Sequence, residues 1–282
     1  MNYSYKTYFK DIPGAGSIAY VDEGKGEQTL LFIHGLANYA MVWQKNIEYL
    51  KQFYRCIAID LPGNGLSGKE DHPFGIKFYA DSVNQFIQAL QLKHVCLVGH
   101  SMGGQIAMTT VLNYPQCADK LVLCSPAGFE EFSPFDKSLF YGTIHLRDML
   151  SSDESLLRHT IENSFYKQHK QGEGVIKELI DIMKTYRSGY YKKMVEASIK
   201  GMLEESVTEL VQLIKQPALI IFGREDALIP NRLLHHLTTE QVANHGAKRI
   251  PNAKLVMMQD CGHFLQWEKA DEVNREIVLF VQ

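Results

Sequence analysis

The sequence predicts an α/β fold with a mostly parallel sheet, and three observations point to it. Short apolar runs of strand length alternate with segments whose apolar residues recur at helical spacing. Strands that alternate with helices are joined by right-handed crossovers, which make neighbouring strands parallel. Between residues 129 and 213 the alternation stops and only helical spacing is found. We therefore expect eight strands flanked by helices, with an all-helical insertion after the sixth strand.

Composition and charge exclude several classes of partner. A chain of 282 residues with 45% apolar residues can bury a large core. The net charge of −3 gives no electrostatic attraction for nucleic acid or an anionic membrane. No apolar run approaches the roughly 18–20 residues that span a bilayer, and the first residues lack the apolar stretch of a signal peptide. We expect a cytoplasmic protein with a small-molecule substrate, no nucleic-acid partner and no membrane insertion; the oligomeric state stays open.

The five cysteines fit a reducing compartment. They are scattered, odd in number and without a CxxC pair, so neither a disulfide framework nor a zinc site is indicated. Buried reduced thiols behave as small apolar side chains. His, Cys and acidic residues do not cluster at metal-ligand spacing. The sequence therefore implies no metal and no cofactor.

The first half of the chain contains a hairpin and then alternating elements. Strands are predicted at residues 3–12 and 17–21, which pair as an antiparallel hairpin, and then at 29–33, 56–59 and 94–98. Helices are predicted at 41–50 and 78–92, since their apolar residues fall on one face. The strand at 29–33 is continuously apolar, which is typical of a strand covered on both faces.

The second half contains the helical insertion and the last strands. A helix from 105 to 113 precedes strands at 121–124, 218–222 and 255–258, and a final helix carries an apolar face. Four insertion helices are predicted, from a capping box at 151–154 and from these stripes: Val175, Leu179, Ile180, Met183; Tyr191, Met194, Val195; Val207, Leu210, Val211, Ile214. We divide the chain into a core (1–128 and 214–282) and a cap (129–213), which should cover the carboxyl ends of the strands, where ligands bind.

One turn carries chemistry. Gly99-His100-Ser101-Met102-Gly103 stands between a predicted strand and a predicted helix, the context of a nucleophile elbow. So sharp a reversal should strain the backbone of Ser101 and leave no room for side chains at positions 99 and 103. A glycine-rich turn with an unreactive serine is the alternative. A nucleophilic serine also needs a base and an orienting carboxylate, and loops after later strands offer Glu225, Asp226 and His263 in the required order.

These motifs together resemble an α/β-hydrolase with a helical cap. The matching segments are His34-Gly35, Asp60-Leu61-Pro62-Gly63 with Gly65 and Ser67, Gly99 to Gly104, Gly223 with Asp226 and Pro230, and Gly262-His263. The resemblance implies that Ser101 is the nucleophile, Asp226 rather than Glu225 the acid, and His263 the general base. It also implies an oxyanion hole formed by the backbone N–H groups of Leu36 and Met102.

Other polar residues near these motifs are assigned to structure. His34 and His100 should support their loops, and Asp60 should brace its own loop. His235 and His236 should lie on a surface helix. An acid after the sixth strand, as in some α/β-hydrolases, is disfavoured because Glu130 is the first carboxylate there.

The resemblance narrows the reaction without naming the substrate. A serine nucleophile argues against the haloalkane dehalogenases and epoxide hydrolases. Leu36-Ala37-Asn38 replaces the glycine-rich loop of many lipases and the Gly-Pro-Gly of proline iminopeptidases and C–C bond hydrolases. We expect a carboxylic ester or thioester hydrolase for a small to medium apolar acyl group, which acts through a Ser101 acyl-enzyme. The alternatives are a C–C bond hydrolase or an aminopeptidase of the same fold, a cofactor-free peroxidase, and a hydrolase-fold ligand-binding protein.

Overall fold

The computed structural model describes residues 3–150, 154–166, 173–185 and 189–282. The β-strands and α-helices of those residues are, in chain order, β1 (Thr7–Ile12), β2 (Gly16–Glu23), β3 (Thr29–Ile33), α1 (Gln44–Leu50), β4 (Arg55–Ile59), α2 (Ile76–Ala89), β5 (Val95–His100), α3 (Met102–Asn113), β6 (Lys120–Cys124), α4 (Pro134–Leu150), α5 (Glu154–Glu162), α6 (Glu173–Thr185), α7 (Gly189–Glu204), β7 (Ala218–Gly223), α8 (Thr239–Arg249), β8 (Ala253–Met258), α9 (Leu265–Glu268) and α10 (Ala270–Val281).

The strands of these described ranges form one eight-stranded sheet in the order β1-β2-β4-β3-β5-β6-β7-β8. β1 and β2 form an antiparallel hairpin, and β2 is antiparallel to β4. All pairs from β4 to β8 are parallel. The predicted fold class is therefore confirmed. The carboxyl ends of β3, β5, β6, β7 and β8 meet at one edge of the sheet, and the loops of the predicted site follow them.

The central strands are buried because helices cover both faces of the sheet. Every residue of β3, β5 and β7 is buried. Side chains alternate along β3: Leu31 and Ile33 join the core beneath α2 and α3, whereas Leu30 and Phe32 join the core beneath α1 and α10. Each such side chain contributes roughly 1.5–3 kcal/mol through burial. The continuous apolar run predicted for this strand is explained by these two cores.

Helices α4 to α7 lie between β6 and β7, which confirms a helical insertion at the predicted place. The two ends of the insertion are joined by Thr208, whose hydroxyl donates to the carbonyls of Gly128 (3.0 Å) and Glu130 (3.2 Å). Helix α7 contacts α2 of the core, where the hydroxyls of Tyr79 and Ser198 lie 3.1 Å apart. The exact boundaries 129 and 213 stay a prediction.

The structure corrects two predictions about helices and adds one helix. The prediction of a fourth cap helix is wrong: its stripe forms turns and a short 3-10 helix (Val211–Leu213). Val207, Val211 and Ile214 are buried from these turns, whereas Leu210 is exposed. Helix α4 was not predicted. His235 and His236 lie in a loop, because α8 begins only at Thr239 behind a Thr238 capping box.

Other differences are shifts of element ends. β1 begins at Thr7, and a 3-10 turn (Ala40–Trp43) precedes α1. The predicted capping residue Ser151 lies outside the described residues, as do the side chains of Val175 and Met183, whereas Leu179 and Ile180 are buried. Over the described ranges, no helix combines the length and the apolar character needed to cross a membrane.

Candidate active site

Ser101 occupies the strained turn that its flanking glycines predict. Its backbone has φ 54° and ψ −120°, between the end of β5 and the start of α3. A Cβ at Gly99 would lie 2.3 Å from the carbonyl oxygen of Gly103, and a Cβ at Gly103 would lie 2.3 Å from that of Ile33. The Ser101 N–H donates to the Cys124 carbonyl (3.0 Å), which ties the turn to β6. The predicted strain and the predicted need for glycine are confirmed.

The loop after β3 lies against this turn. A Cβ at Gly35 would lie 3.2 Å from the Cβ of Ser101 and 3.1 Å from Nδ1 of His100, so the two backbones are in close contact. Leu36 follows directly. Met102 is the first residue of α3, and the first N–H groups of an α-helix have no partner within the helix. Both backbone groups predicted for an oxyanion hole therefore belong to segments that flank Ser101.

His263 and Asp226 form a hydrogen bond deep in the protein. His263 Nδ1 lies 2.8 Å from Asp226 Oδ2, and Asp226 is fully buried. A carboxylate only accepts, so Nδ1 carries the hydrogen and Nε2 keeps its lone pair when the ring is neutral. The other Asp226 oxygen accepts from the backbone of Leu228 (2.8 Å) and Ile229 (3.0 Å).

The charge environment keeps Asp226 ionised. Burial alone would raise the pKa of its carboxyl, but the charge and hydrogen bond of His263, together with the two backbone N–H groups, lower it below the ordinary value. The loop after β7 therefore presents a carboxylate that fixes the orientation and tautomer of the His263 ring.

The two rival carboxylates have other partners. Glu225 accepts a hydrogen bond from the backbone N–H of Cys261 (3.0 Å). Glu130 lies 2.6 Å from Nδ1 of His235 and accepts from the backbone of Asn231 (2.9 Å). Asp226 is thus the carboxylate that contacts the His263 ring, whereas Glu225 binds the backbone of Cys261 and Glu130 binds His235.

The other two histidines of the motifs brace backbone, as the sequence predicts. His34 accepts from the Leu61 N–H through Nε2 (3.0 Å) and donates through Nδ1 to the Gly35 carbonyl (2.7 Å). His100 donates through Nε2 to the carbonyl of His263 (3.0 Å), and the two rings lie 4.8 Å apart. Burial lowers the pKa of His34 to about 4 and, with the neighbouring His263 charge, that of His100 to about 3. Both rings are neutral near pH 7.

Asp60 also has the structural role that was expected. Its carboxylate accepts from the backbone of Ala40 (2.8 Å) and of Leu66 (2.7 Å) and from the hydroxyl of Tyr3. Burial raises the pKa of this carboxyl in spite of these donors. The contacts hold the loop after β4 in place. They do not extend to His263.

Two contacts of the loop that carries His263 were missed from the sequence. Its backbone N–H donates to the carbonyl of Ser164 in the cap (2.8 Å), and Gly262 N–H donates to both carboxylate oxygens of Glu268 (3.1 Å each). Ser164 is 99 positions before His263, and no local pattern marks Glu268 as a partner of Gly262.

Among the described residues no group of three or more His, Cys, Asp or Glu side chains is arranged to hold a metal ion.

Comparisons with known proteins agree with this architecture. A sequence model described as alpha/beta hydrolase fold matches residues 28–270. The chain is 26% identical over 281 residues to the uncharacterized hydrolase YugF of Bacillus subtilis, with 92% of each chain covered. It is 28% identical over 278 residues to the 2-hydroxy-6-oxo-6-phenylhexa-2,4-dienoate hydrolase of Comamonas testosteroni, with 94% of this chain and 91% of that protein covered.

Solved structures share the fold. A probable hydrolytic enzyme from Pseudomonas aeruginosa superposes with a TM-score of 0.83 at 23% identity and covers 100% of this chain and 96% of its own. An esterase from Exiguobacterium antarcticum gives a TM-score of 0.82 at 22% identity, with 97% and 98% covered. At these identities the likeness shows the fold alone.

Proposed function

The chain belongs to the α/β-hydrolase fold family and is a hydrolase of that fold, and we propose that it is a serine hydrolase of carboxylic esters or thioesters. The observation that carries the proposal is the buried hydrogen bond between His263 Nδ1 and Asp226 Oδ2 (2.8 Å). It supports a ring whose free nitrogen, Nε2, is available as a base. His100, whose ring lies 4.8 Å from that of His263, directly precedes Ser101.

In the proposed reaction, Ser101 Oγ attacks the carbonyl carbon of the substrate while His263 Nε2 takes the hydroxyl proton. Asp226 stabilises the imidazolium that forms. The carbonyl oxygen becomes an oxyanion and accepts from the N–H groups of Leu36 and Met102, each worth on the order of 3–4 kcal/mol in comparable hydrolases. His263 then returns the proton to the leaving alkoxide or thiolate, which departs as an alcohol or thiol. Water repeats these steps on the acyl-enzyme and releases the carboxylic acid.

Aromatic side chains beside His263 favour an apolar acyl group. The Phe264 ring lies 5.7 Å from the His263 ring and 5.2 Å from the His100 ring, and it stacks on Phe165 at 4.7 Å. Apolar surroundings also strengthen the electrostatic contacts of a buried triad, because water is excluded. We propose a small to medium acyl group, with the cap residues 129–213 closing over it.

The test is hydrolysis of p-nitrophenyl esters with acyl chains of increasing length. Wild type should prefer short to medium chains, and Ser101→Ala should lower kcat/KM by about 10⁴-fold or more because the nucleophile is lost. Ser82→Ala is a matched control, since Ser82 is a buried serine in α2 that donates to the Phe78 carbonyl. Undiminished activity of Ser101→Ala would refute the proposal.

The second candidate is a C–C bond hydrolase. The relative from Comamonas testosteroni is named a 2-hydroxy-6-oxo-6-phenylhexa-2,4-dienoate hydrolase, and compounds of that kind are the substrates that the second candidate would cleave. A vinylogous 1,5-diketone acid offered beside the ester series separates the two: faster turnover of the diketone would favour the second candidate. Labelling of Ser101 by a fluorophosphonate without turnover of either series would favour a ligand-binding protein. Peroxide-dependent halogenation would favour a cofactor-free peroxidase.

A further inference from the structure

A short segment of the cap, residues 163–166, lies directly on the loop that carries His263. The His263 N–H donates to the carbonyl of Ser164 (2.8 Å). The neighbouring rings of Phe165 and Phe264 stack with centroids 4.7 Å apart and an interplanar angle of 10°. Both rings are buried. One hydrogen bond and one aromatic stack therefore join the cap to the two residues at the end of this loop.

Glu268, the last residue of α9, bridges the same two segments. Its Oε2 accepts from the backbone N–H of Tyr166 in the cap (2.8 Å), and both carboxylate oxygens accept from the N–H of Gly262 (3.1 Å). These donors are 96 positions apart in the chain, and a single carboxylate satisfies both. Bonds from N–H groups to an ionised carboxylate are among the stronger hydrogen bonds in proteins.

The two backbones leave no space for a side chain between them. A Cβ at Gly262 would lie 2.7 Å from the nitrogen of Tyr166 and 2.8 Å from the oxygen of Ser164. The contact is thus made by main-chain atoms, whose positions do not depend on rotamers. A change in the position of the cap segment must move the backbone of residues 262 and 263 with it.

We infer that Glu268 is a positioning residue, which aligns His263 with Ser101 by holding residues 164–166 of the cap against Gly262. The inference rests on the proposed role of His263 as the general base. The His263 ring is bonded to Asp226 at one end and its backbone to Ser164 at the other, so loss of the Glu268 bridge shifts the pivot of the ring. A displacement of about 1 Å at a reacting group is enough to cost about 100-fold in rate.

The experiment compares Glu268→Gln with Glu272→Gln. Gln keeps the size of the side chain but presents an NH₂ group to one of the two N–H donors, so one hydrogen bond is lost. Glu272 is a matched control because it lies one turn away on α10, is 44% exposed and pairs only with Lys269 among the contacts described. We expect kcat of Glu268→Gln to fall about 10- to 100-fold with KM changed less than about threefold, and Glu272→Gln to behave as wild type.

A second readout reports on His263 itself. The proton on Nδ1, hydrogen-bonded to Asp226, should give a downfield NMR resonance that shifts or broadens in Glu268→Gln and is unchanged in Glu272→Gln. An unchanged resonance with unchanged kcat would overturn the inference, and so would a rise of KM alone. A loss of activity that merely follows the unfolded fraction at the assay temperature would also overturn it.

If Glu268→Gln does not fold, Gly262→Ala tests the same contact from the other side. A Cβ there would lie 2.7 Å from the nitrogen of Tyr166 and 3.0 Å from Glu268 Oε1, so it forces both the cap segment and the carboxylate away from residue 262. The same split of kcat from KM is expected, and wild-type kinetics would overturn the inference. The proposed function fails separately, through an active Ser101→Ala, whereas the His263 resonance reports on placement without any turnover.

Discussion

The elbow (residues 99–103) and the His263 loop (residues 259–264) lie at the same edge of the sheet, but different kinds of contact hold them there. The elbow is held by neutral main-chain contacts and by glycines that allow them, such as the 2.3 Å approach that a Cβ at Gly99 would make to Gly103. Its own His100 and the neighbouring His34 are buried, neutral rings. Its position follows from the geometry of β3, β5 and α3.

The His263 loop is held mainly by carboxylates. Three successive backbone N–H groups, from Cys261 to His263, donate to Glu225, to Glu268 and to the carbonyl of Ser164, respectively. Asp226 holds the ring. The proposed nucleophile is thus fixed by the core, and the proposed base is fixed by charged groups and the cap. This difference makes the histidine side the more sensitive to changes of charge and the elbow the more sensitive to changes of volume.

The largest expected effect comes from the charge that orients the ring. Asp226→Asn keeps the shape but turns one acceptor into a donor, so the His263 ring should take the tautomer with its hydrogen on Nε2 and become unable to act as the proposed base. We expect kcat to fall about 10⁴-fold, the loss that this tautomer change causes in a serine-protease triad. Steady-state ester hydrolysis measures it.

Glu225→Gln is the control for that prediction. Its amide oxygen still accepts from the Cys261 N–H, so activity should fall by less than about tenfold, the equivalent of one weakened hydrogen bond. A larger loss in Glu225→Gln than in Asp226→Asn would reverse the assignment of the acid and contradict the comparison.

The sequence predicted the elbow better than the His263 loop, because the contacts of the elbow are made by residues that are close together in the chain. The elbow is local: strand, Gly-x-Ser-x-Gly and helix are contiguous, so Ser101 and its strain follow from a few residues. For the acid and the base, the loops after later strands offered Glu225, Asp226 and His263, and the resemblance to a family selected Asp226 over Glu225. The bond of His263 to Ser164 was missed because these residues are 99 positions apart, and the bond of Gly262 to Glu268 was missed because no local pattern marks it.

Apolar periodicity likewise predicted the strands, but it gave a wrong helix for the last stripe of the cap. The buried strands are continuous apolar runs, and each was found within a few residues of its observed ends. The stripe from Val207 to Ile214 has helical spacing as well, yet it folds into turns because Thr208 is bound to the carbonyls of Gly128 and Glu130. A tertiary contact of this kind leaves no trace in spacing.

The second prediction addresses volume at the elbow. Gly99→Ala places a methyl group against main-chain atoms that cannot move independently, and overpacking of this kind costs about 3 kcal/mol of unfolding free energy. Urea denaturation measures the loss. Gly142→Ala in α4 is the control: within the described part of the chain, no atom outside the helix's own backbone lies within 4 Å of a Cβ placed there, so we expect a gain of about 0.5–1 kcal/mol from helix propensity. If Gly99→Ala and wild type had equal unfolding free energies, the elbow backbone would be able to move and accommodate the methyl group, which contradicts the prediction.

The smallest predicted effect is the pH dependence of stability that comes from His34, beside the elbow. Burial lowers the pKa of His34 to about 4, against 6.5 in an unfolded chain, so below pH 6.5 the unfolded state binds the extra proton. Its contribution to stability is therefore fully present above pH 6.5 and is lost as the pH falls towards 4. Between pH 7 and pH 6 the loss amounts to about 0.7 kcal/mol for one such ring.

His34→Gln isolates this term, because Gln still offers the Leu61 N–H an acceptor but does not titrate. Asp60, Glu130 and Glu268 have raised pKa values and contribute with the opposite sign, so the quantity to compare is the change in unfolding free energy from pH 7 to pH 6 in the two proteins. Wild type should lose about 0.7 kcal/mol more than His34→Gln. Equal losses would mean that His34 takes up its proton in the folded state as well, and the elbow would then not depend on a neutral ring.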